Sequence, residues 1–260
     1  MTLAIVTYVP EGIVMASDSR QSITVEQKTQ EGVDLPKIET TNSDNVYKTF
    51  LLSRIDPYSR PLFEVGVTSF GQDLLGNVPM ASHIKRFSEG ELTDTDDVTT
   101  IPKKLVEFFK KIFPDADTGF HVTGYRKEGK ISIPYVFYCH VSKHISDQRK
   151  NVAPDGTLVY GATWSGQIDV LASIVHPSLQ IGPEGKPLTV PKPPIIWGAM
   201  ALQDAIDFSA YAIRVTIETI RFQVRPKNVG GSIDILALTP DGAKWIQRKE
   251  LGLVLYAFGK

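Results

Sequence analysis

The 260-residue sequence has a single cysteine, Cys139, so no disulfide can form within the chain and a secreted fold held by such bridges is disfavoured. Net charge is also nearly absent. Twenty-eight Lys and Arg stand against 29 Asp and Glu, leaving −1 at pH 7, which supplies no electrostatic footprint for nucleic acid or an anionic membrane surface. No apolar run approaches the roughly 20 residues that cross a bilayer. The N-terminus has no basic leader, and its apolar run is interrupted by Thr7, Tyr8 and Pro10, so it is not expected to act as a signal peptide. His140 and His144 lack a nearby set of Cys or acidic ligands, and no metal or other cofactor is expected. What remains is a cytoplasmic globular protein without nucleic-acid or membrane partners. A hydrophobic share of 42% with 22% charged residues suits a core-forming chain, and with no clean linker or short repeat one domain is expected across 1–260.

The first twenty residues organise the rest. Two β-rich runs, Leu3 to Val9 and Ile13 to Ala16, flank Pro10-Glu11-Gly12, so the chain opens as a hairpin. Residue two is Thr2. Removal of Met1 would place a hydroxyl and a free α-amine on that one residue. The amine, with an ordinary pKa of about 7.7 to 8.0, could then serve as base for a hydroxyl that is otherwise a weak nucleophile.

Farther along, Gln21 to Asp44 is polar with scattered apolar residues and reads as an excursion between strands. Strand-like composition resumes at Asn45 to Ser53 and again at Leu62 to Thr68, on either side of a turn at Asp56 to Pro61. Gln72 to Phe87 is expected to be a helix that Asn77-Val78-Pro79 could break. Thr99 to Pro102 begins a second helix, whose Leu105, Phe108, Phe109 and Ile112 recur at helical spacing before Pro114. The lysines Lys103, Lys104, Lys110 and Lys111 form its solvated face. Strands follow at Phe120 to Tyr125 and Ile131 to Val141, with Cys139 read as a small buried hydrophobe. Another strand at Thr157 to Thr163 leads into a turn at Ala162 to Gly166, and Gly182 to Pro194 is a proline-rich surface crossing. The longest helix, Ala199 to Phe222, sets Leu202, Ile206, Ile213, Ile217 and Ile220 beside a stripe of small residues, Ala205, Ser209, Ala212 and Thr216. Ser232 to Gln247 closes the chain as a hairpin around Pro240-Asp241-Gly242. Strands grouped in this order with helices between them indicate an α+β layered domain.

The opening Thr2-Leu3-Ala4-Ile5, the Gly12 turn and Ser17-Asp18-Ser19-Arg20 resemble the start of a proteasome β-type subunit. Val229-Gly230-Gly231-Ser232-Ile233-Asp234 through Asp241-Gly242 resembles that family's late glycine pair, strand and turn, and the Met-Thr start and length are closest to the bacterial proteasome-related proteins. The resemblance implies a four-layer αββα sandwich of the N-terminal nucleophile hydrolase kind, with the polar stretch at about 21–44 as an insertion. It implies Thr2 as nucleophile, Asp18 as acidic partner and Lys48 as site lysine, with Lys37 competing because the interval from Asp18 to Lys48 exceeds the family's usual one. Backbone amides of a Ser69-Phe70-Gly71 turn would face the oxyanion, and Ser165 or Thr163 would stand beside the threonine. The implied activity is that of a threonine peptidase or amidase acting on peptide or amide bonds, in a homo-oligomeric ring or stack. The alternative is a catalytically silent assembly subunit, because Arg225 to Val229 lacks the Asp and Ser that the family carries before its glycine pair, and only Asn228 could substitute for one.

Overall fold

A computed structural model describes residues 2–25, 38–181 and 186–250. The chain runs β1 (Leu3–Val9), β2 (Gly12–Ser17), β3 (Gln21–Val25), β4 (Ile38–Ser43), β5 (Thr49–Ile55) and β6 (Pro61–Gly71). The short strands β7 (Leu74–Leu75) and β8 (Val78–Pro79) precede helices α1 (Met80–Gly90) and α2 (Ile101–Ile112). Next come β9 (Thr118–Glu128), β10 (Ile131–His140), β11 (Ile145–Arg149), β12 (Gly161–Gly166) and helix α3 (Asp169–Val175). A ribbon of β13 (Ser178–Ile181) and β14 (Pro187–Val190) leads through a 3-10 turn at Trp197–Ala199 into α4 (Leu202–Phe222), and β15 (Asp234–Thr239) and β16 (Gly242–Gln247) finish the described chain.

Ten of these strands form two five-stranded sheets, ordered β12-β1-β2-β15-β16 and β11-β10-β9-β6-β5. The alternation of β1 explains their stacking, since successive side chains point to opposite faces of a strand. Leu3, Ile5 and Val9 pack with Ile206 and Ile213 of α4 and Leu171 of α3. Val6 and Tyr8 pack with Met15, Leu236 and Val136, the last from the second sheet. On that sheet's other side Val65, Val67, Phe120 and Val122 join Ile84 and Phe87 of α1 and Leu105 and Phe109 of α2. The small stripe of α4 permits close approach: Ala205, Ser209, Ala212 and Thr216 are buried, and the Ser209 hydroxyl lies 2.9 Å from that of Thr7.

Several local expectations change. Leu74 and Leu75 belong to β7 rather than to a helix, Asn77 takes a positive φ of 61°, and α1 begins only at Met80. The apolar spacing of Gln72 to Phe87 therefore joined a turn to a helix. Ala162 to Gly166 lies within strand β12, paired antiparallel to β1, rather than in a turn. Its register sets Ser165 opposite Ala4 and Thr163 opposite Val6. The polar excursion contains β3 and β4 paired with each other. Helix α3 has no counterpart in the sequence reading, and α4 begins at Leu202, after the 3-10 turn. Part of the proline-rich crossing is the β13–β14 ribbon. Among the described residues no helix is long and apolar enough to cross a membrane.

Candidate active site

Strand β2 returns beside β1 with Ala4 opposite Ser17, so the next residue, Asp18, arrives at the start of β1. Its carboxylate accepts four donors. The Leu3 N–H (3.0 Å) and Lys48 Nζ (3.1 Å) reach Oδ1, and the N–H groups of Arg20 (3.1 Å) and Gly230 (3.0 Å) reach Oδ2. This geometry explains the late glycine pair. A Cβ at Gly230 would lie 2.5 Å from the Arg20 guanidinium carbon, and one at Gly231, which has a φ of +74°, would lie 2.4 Å from the Asp44 carbonyl oxygen. Arg20 and Asp44 form a bidentate pair of 2.5 and 2.7 Å at the two ends of the excursion, and the guanidinium's hydrogen bond holds the Asp44 carboxyl below its usual range.

Lys48 immediately precedes β5 and is wholly buried. A buried ammonium requires partners, and Nζ donates to Asp18 and to the Arg20 carbonyl, with Asp73 Oδ2 at 3.7 Å. Lys37 lies outside the described residues.

Thr2 is buried, and its carbonyl accepts the Gln167 N–H at 2.7 Å. The neighbouring Gly166 has a φ of +96°, and a Cβ there would sit 1.7 Å from the Thr2 oxygen, so only glycine allows β12 to pass. Thr2 Oγ1 donates to Asp73 Oδ2 over 3.5 Å. Asp73 was not foreseen. Its burial pushes the carboxyl up, opposed by the Lys48 charge, and its Oδ1 is buried without a hydrogen-bond partner.

Ser69, Phe70 and Gly71 end strand β6 instead of forming a turn. The Ser69 N–H donates to the Lys48 carbonyl at 2.8 Å, so that amide is committed to holding the lysine backbone. The Phe70 ring stacks on Tyr138 with centroids 5.7 Å apart. Gly71 alone of the three lines a cleft of about 550 Å³, together with Gln21, Ser22, Ile23, Asp73 and Asp117.

Three supporting features surround the site, two of them built on residues the resemblance had singled out, Ser165 and Asn228. Ser17 Oγ, Thr49 Oγ1 and Thr68 Oγ1 form a hydroxyl chain of 2.8 and 3.2 Å between the sheets. Ser165 Oγ lies 3.1 Å from His121 Nε2, whereas Thr163 sits two residues farther along β12 from the site. Burial pushes the His121 pKa down to about 3, with the Lys150 charge acting in the same direction. Finally, Asn228 Nδ2 donates to Gln167 Oε1 at 3.0 Å, which connects Asn228 to Thr2 through the residue whose amide holds the Thr2 carbonyl. Among the described residues there is no group of three or more His, Cys, Asp or Glu side chains arranged for a metal ion.

No protein-family model and no curated protein matches the sequence. Solved structures do match the fold. The Gly-1 mutant of Anbu from Hyphomicrobium sp. strain MC1 aligns with a TM-score of 0.53 at 13% identity, over 96% of this chain and 86% of that one. Another Anbu structure from the same strain gives 0.53 at 16% identity, over 95% and 88%. Across nearly its whole length, the chain thus shares the overall fold of Anbu.

Proposed function

We propose that this protein is a proteasome-like N-terminal threonine hydrolase, acting on peptide or amide bonds, with the four-layer αββα arrangement of that class. The observation that carries the reading is the buried Lys48–Asp18 pair, 3.1 Å apart, at the end of β1 where Thr2 stands. Removal of Met1 frees the Thr2 amine, which takes the hydroxyl proton as Oγ1 attacks the substrate carbonyl. The carbonyl electrons pass to oxygen, and collapse of the adduct expels an amine that receives the proton. Water then cleaves the resulting ester and restores the hydroxyl. The Lys48 charge, fixed by Asp18, favours the alkoxide that develops on Thr2. The cleft between Gln21–Ile23 and Gly71–Asp73 provides room for an extended substrate. Subunits are proposed to assemble in the cytoplasm as a homo-oligomeric ring or stack.

A catalytically silent assembly subunit is the second reading. It is favoured by Arg225 to Val229, where Asn228 touches Thr2 only through Gln167.

Intact-mass analysis of protein from its native host, followed by treatment with a peptide epoxyketone, separates the two readings. The warhead needs both the hydroxyl and the free amine to close its ring adduct. On the hydrolase reading Met1 is absent and Thr2 carries the adduct, whereas Thr2→Ala is not labelled. Met1 retained throughout, or a mature chain inert to several such peptides, leaves only the silent subunit.

A further inference from the structure

We infer that the cleft beside Thr2 selects peptides by charge: Asp73, with Asp117 at the rim, receives a lysine or arginine side chain on the residue whose carbonyl Thr2 attacks. The inference rests on the hydrolase reading above and names the substrate class of that same site. The Thr2 amine remains the base, and Asp73 determines specificity.

The charges around the cleft do not cancel. Asp18 and Asp73 both face the Lys48 ammonium, at 3.1 and 3.7 Å, and one ammonium compensates one carboxylate. Asp18 has the shorter contact and three backbone N–H donors besides, from Leu3, Arg20 and Gly230. The Asp73 charge is the one left over. Its side chain is 5% exposed, its Oδ2 accepts the Thr2 hydroxyl at 3.5 Å, and its Oδ1 is buried without a hydrogen-bond partner. A buried carboxylate oxygen ordinarily has a donor, and leaving one empty is costly. A donor brought by a ligand into the cleft that Asp73 lines would fill that place.

Asp117 adds a second negative charge. Its backbone is laced to Gln72, whose N–H it accepts at 3.0 Å and whose Oε1 receives its own N–H at 3.1 Å, and its side chain is 78% exposed at the cleft. The His140 imidazole lies 3.4 Å from this carboxylate. Burial and the Lys143 charge push the His140 pKa down, so at neutral pH it brings no compensating cation. Among the described residues that line the cleft there is no lysine or arginine, while Ile23 and Leu74, 37% and 40% exposed, provide apolar wall. A long cationic side chain uses both kinds of surface, the apolar one along its methylene stem and the acceptors at its head.

Burial favours the protonated form of Asp73, Lys48 opposes it and Asp18 supports it. A second cation acts on the side of Lys48, so its arrival ionises the carboxyl more fully. An acidic side chain in the same place would meet two like charges and is disfavoured. A neutral one would leave the buried oxygen as it stands. The cleft therefore discriminates by the sign of the charge, with Asp73 in contact with the nucleophile and Asp117 at the entrance.

The test measures kcat/KM of the full chain, starting at Thr2, on blocked peptides ending in arginine, in its neutral isostere citrulline or in glutamate, each joined to a fluorogenic amine. Arginine is expected to exceed citrulline by about tenfold or more at low salt, with glutamate the poorest. The ratio of arginine to citrulline should fall about two- to fivefold in Asp117→Asn, whose carboxylate is exposed, and approach one in Asp73→Asn. A ratio cancels any loss of rate that the two substrates share. If Asp73→Asn has no turnover at all, the wild-type ratio and its fall in Asp117→Asn decide the matter. Citrulline equal to or better than arginine, or a ratio unmoved by either variant, overturns the inference and leaves the hydrolase reading intact. Preference for a single citrulline with a free α-amine over every blocked arginine peptide assigns the cation to the backbone amine and overturns it as well. A mature chain that turns over none of these substrates and takes no epoxyketone overturns both readings.

Discussion

His121 Nε2 and Ser165 Oγ stand 3.1 Å apart and join the two sheets. The imidazole is wholly buried, with a pKa near 3 in the folded chain against about 6.5 when unfolded. The unfolded chain therefore binds the extra proton first as the pH falls. Stability from this residue is complete above the unfolded value and declines between about pH 6.5 and 3, at no more than about 1.4 kcal/mol per pH unit. Urea unfolding of wild type and His121→Gln at pH 7.5, 6 and 5 should show a stability difference that shrinks with acidification. A difference independent of pH would mean that the folded imidazole titrates normally.

Replacing Lys48 with Met should lower stability by about 3 to 5 kcal/mol, because it leaves the Asp18 charge buried without its cation. Combining it with Asp18→Asn should recover part of the loss, a coupling that a double-mutant cycle in denaturant reads directly. Turnover should vanish in Lys48→Ala and change little in Lys37→Ala. The reverse pair of results would move the lysine role into the excursion.

Gly166→Ala places a methyl group against the Thr2 carbonyl oxygen and forces a left-handed backbone on a residue with a side chain. The conformational part alone costs about 1 to 2 kcal/mol, and relief of the clash must shift β12 or the start of β1. Epoxyketone labelling of Thr2 should fall by at least tenfold while circular dichroism stays native. Unchanged labelling would show that the site tolerates such a shift.

Ala212 is buried on α4 in the small stripe that meets the sheet. Ala212→Leu should cost about 1 to 3 kcal/mol by overpacking, whereas the same change at exposed Tyr211 should be nearly neutral. Thermal melts of the two variants compare the faces. Equal melting points would be incompatible with close helix-to-sheet contact at Ala212.

The opening hairpin, α2, α4 and the closing hairpin were legible because alternation, proline placement and apolar spacing each act over a few residues. Asp18 and Lys48 were named through resemblance, and the fold brings them within hydrogen-bond distance. Asp73 carries no such signature. It follows Gly71-Gln72 in a polar stretch, and its meaning arises only from meeting Thr2, 71 positions earlier. His121 was read simply as part of an apolar strand, since its partner Ser165 lies on the other sheet. The choice between Ser165 and Thr163 depended on strand register, which neither residue announces locally. Gln72 to Phe87 misled for another reason: Leu74 and Leu75 imitate a helical face although β7 and β8 occupy that place.

The Arg20–Asp44 clasp gives the chain a freedom that its numbering conceals. By tying the two ends of the excursion together, with Arg20 also held by the Lys227 carbonyl, it fixes where the backbone re-enters the body before Lys48. Lengthening the chain between the clasped ends beyond the β3–β4 pairing adds about 0.6 kcal/mol of loop-closure entropy for each doubling. Insertions between the clasped ends can therefore vary in length while the distance from Asp18 to Lys48 stays the same. Sequence interval and spatial interval are uncoupled here, so the rim can diversify around an unaltered charge pair.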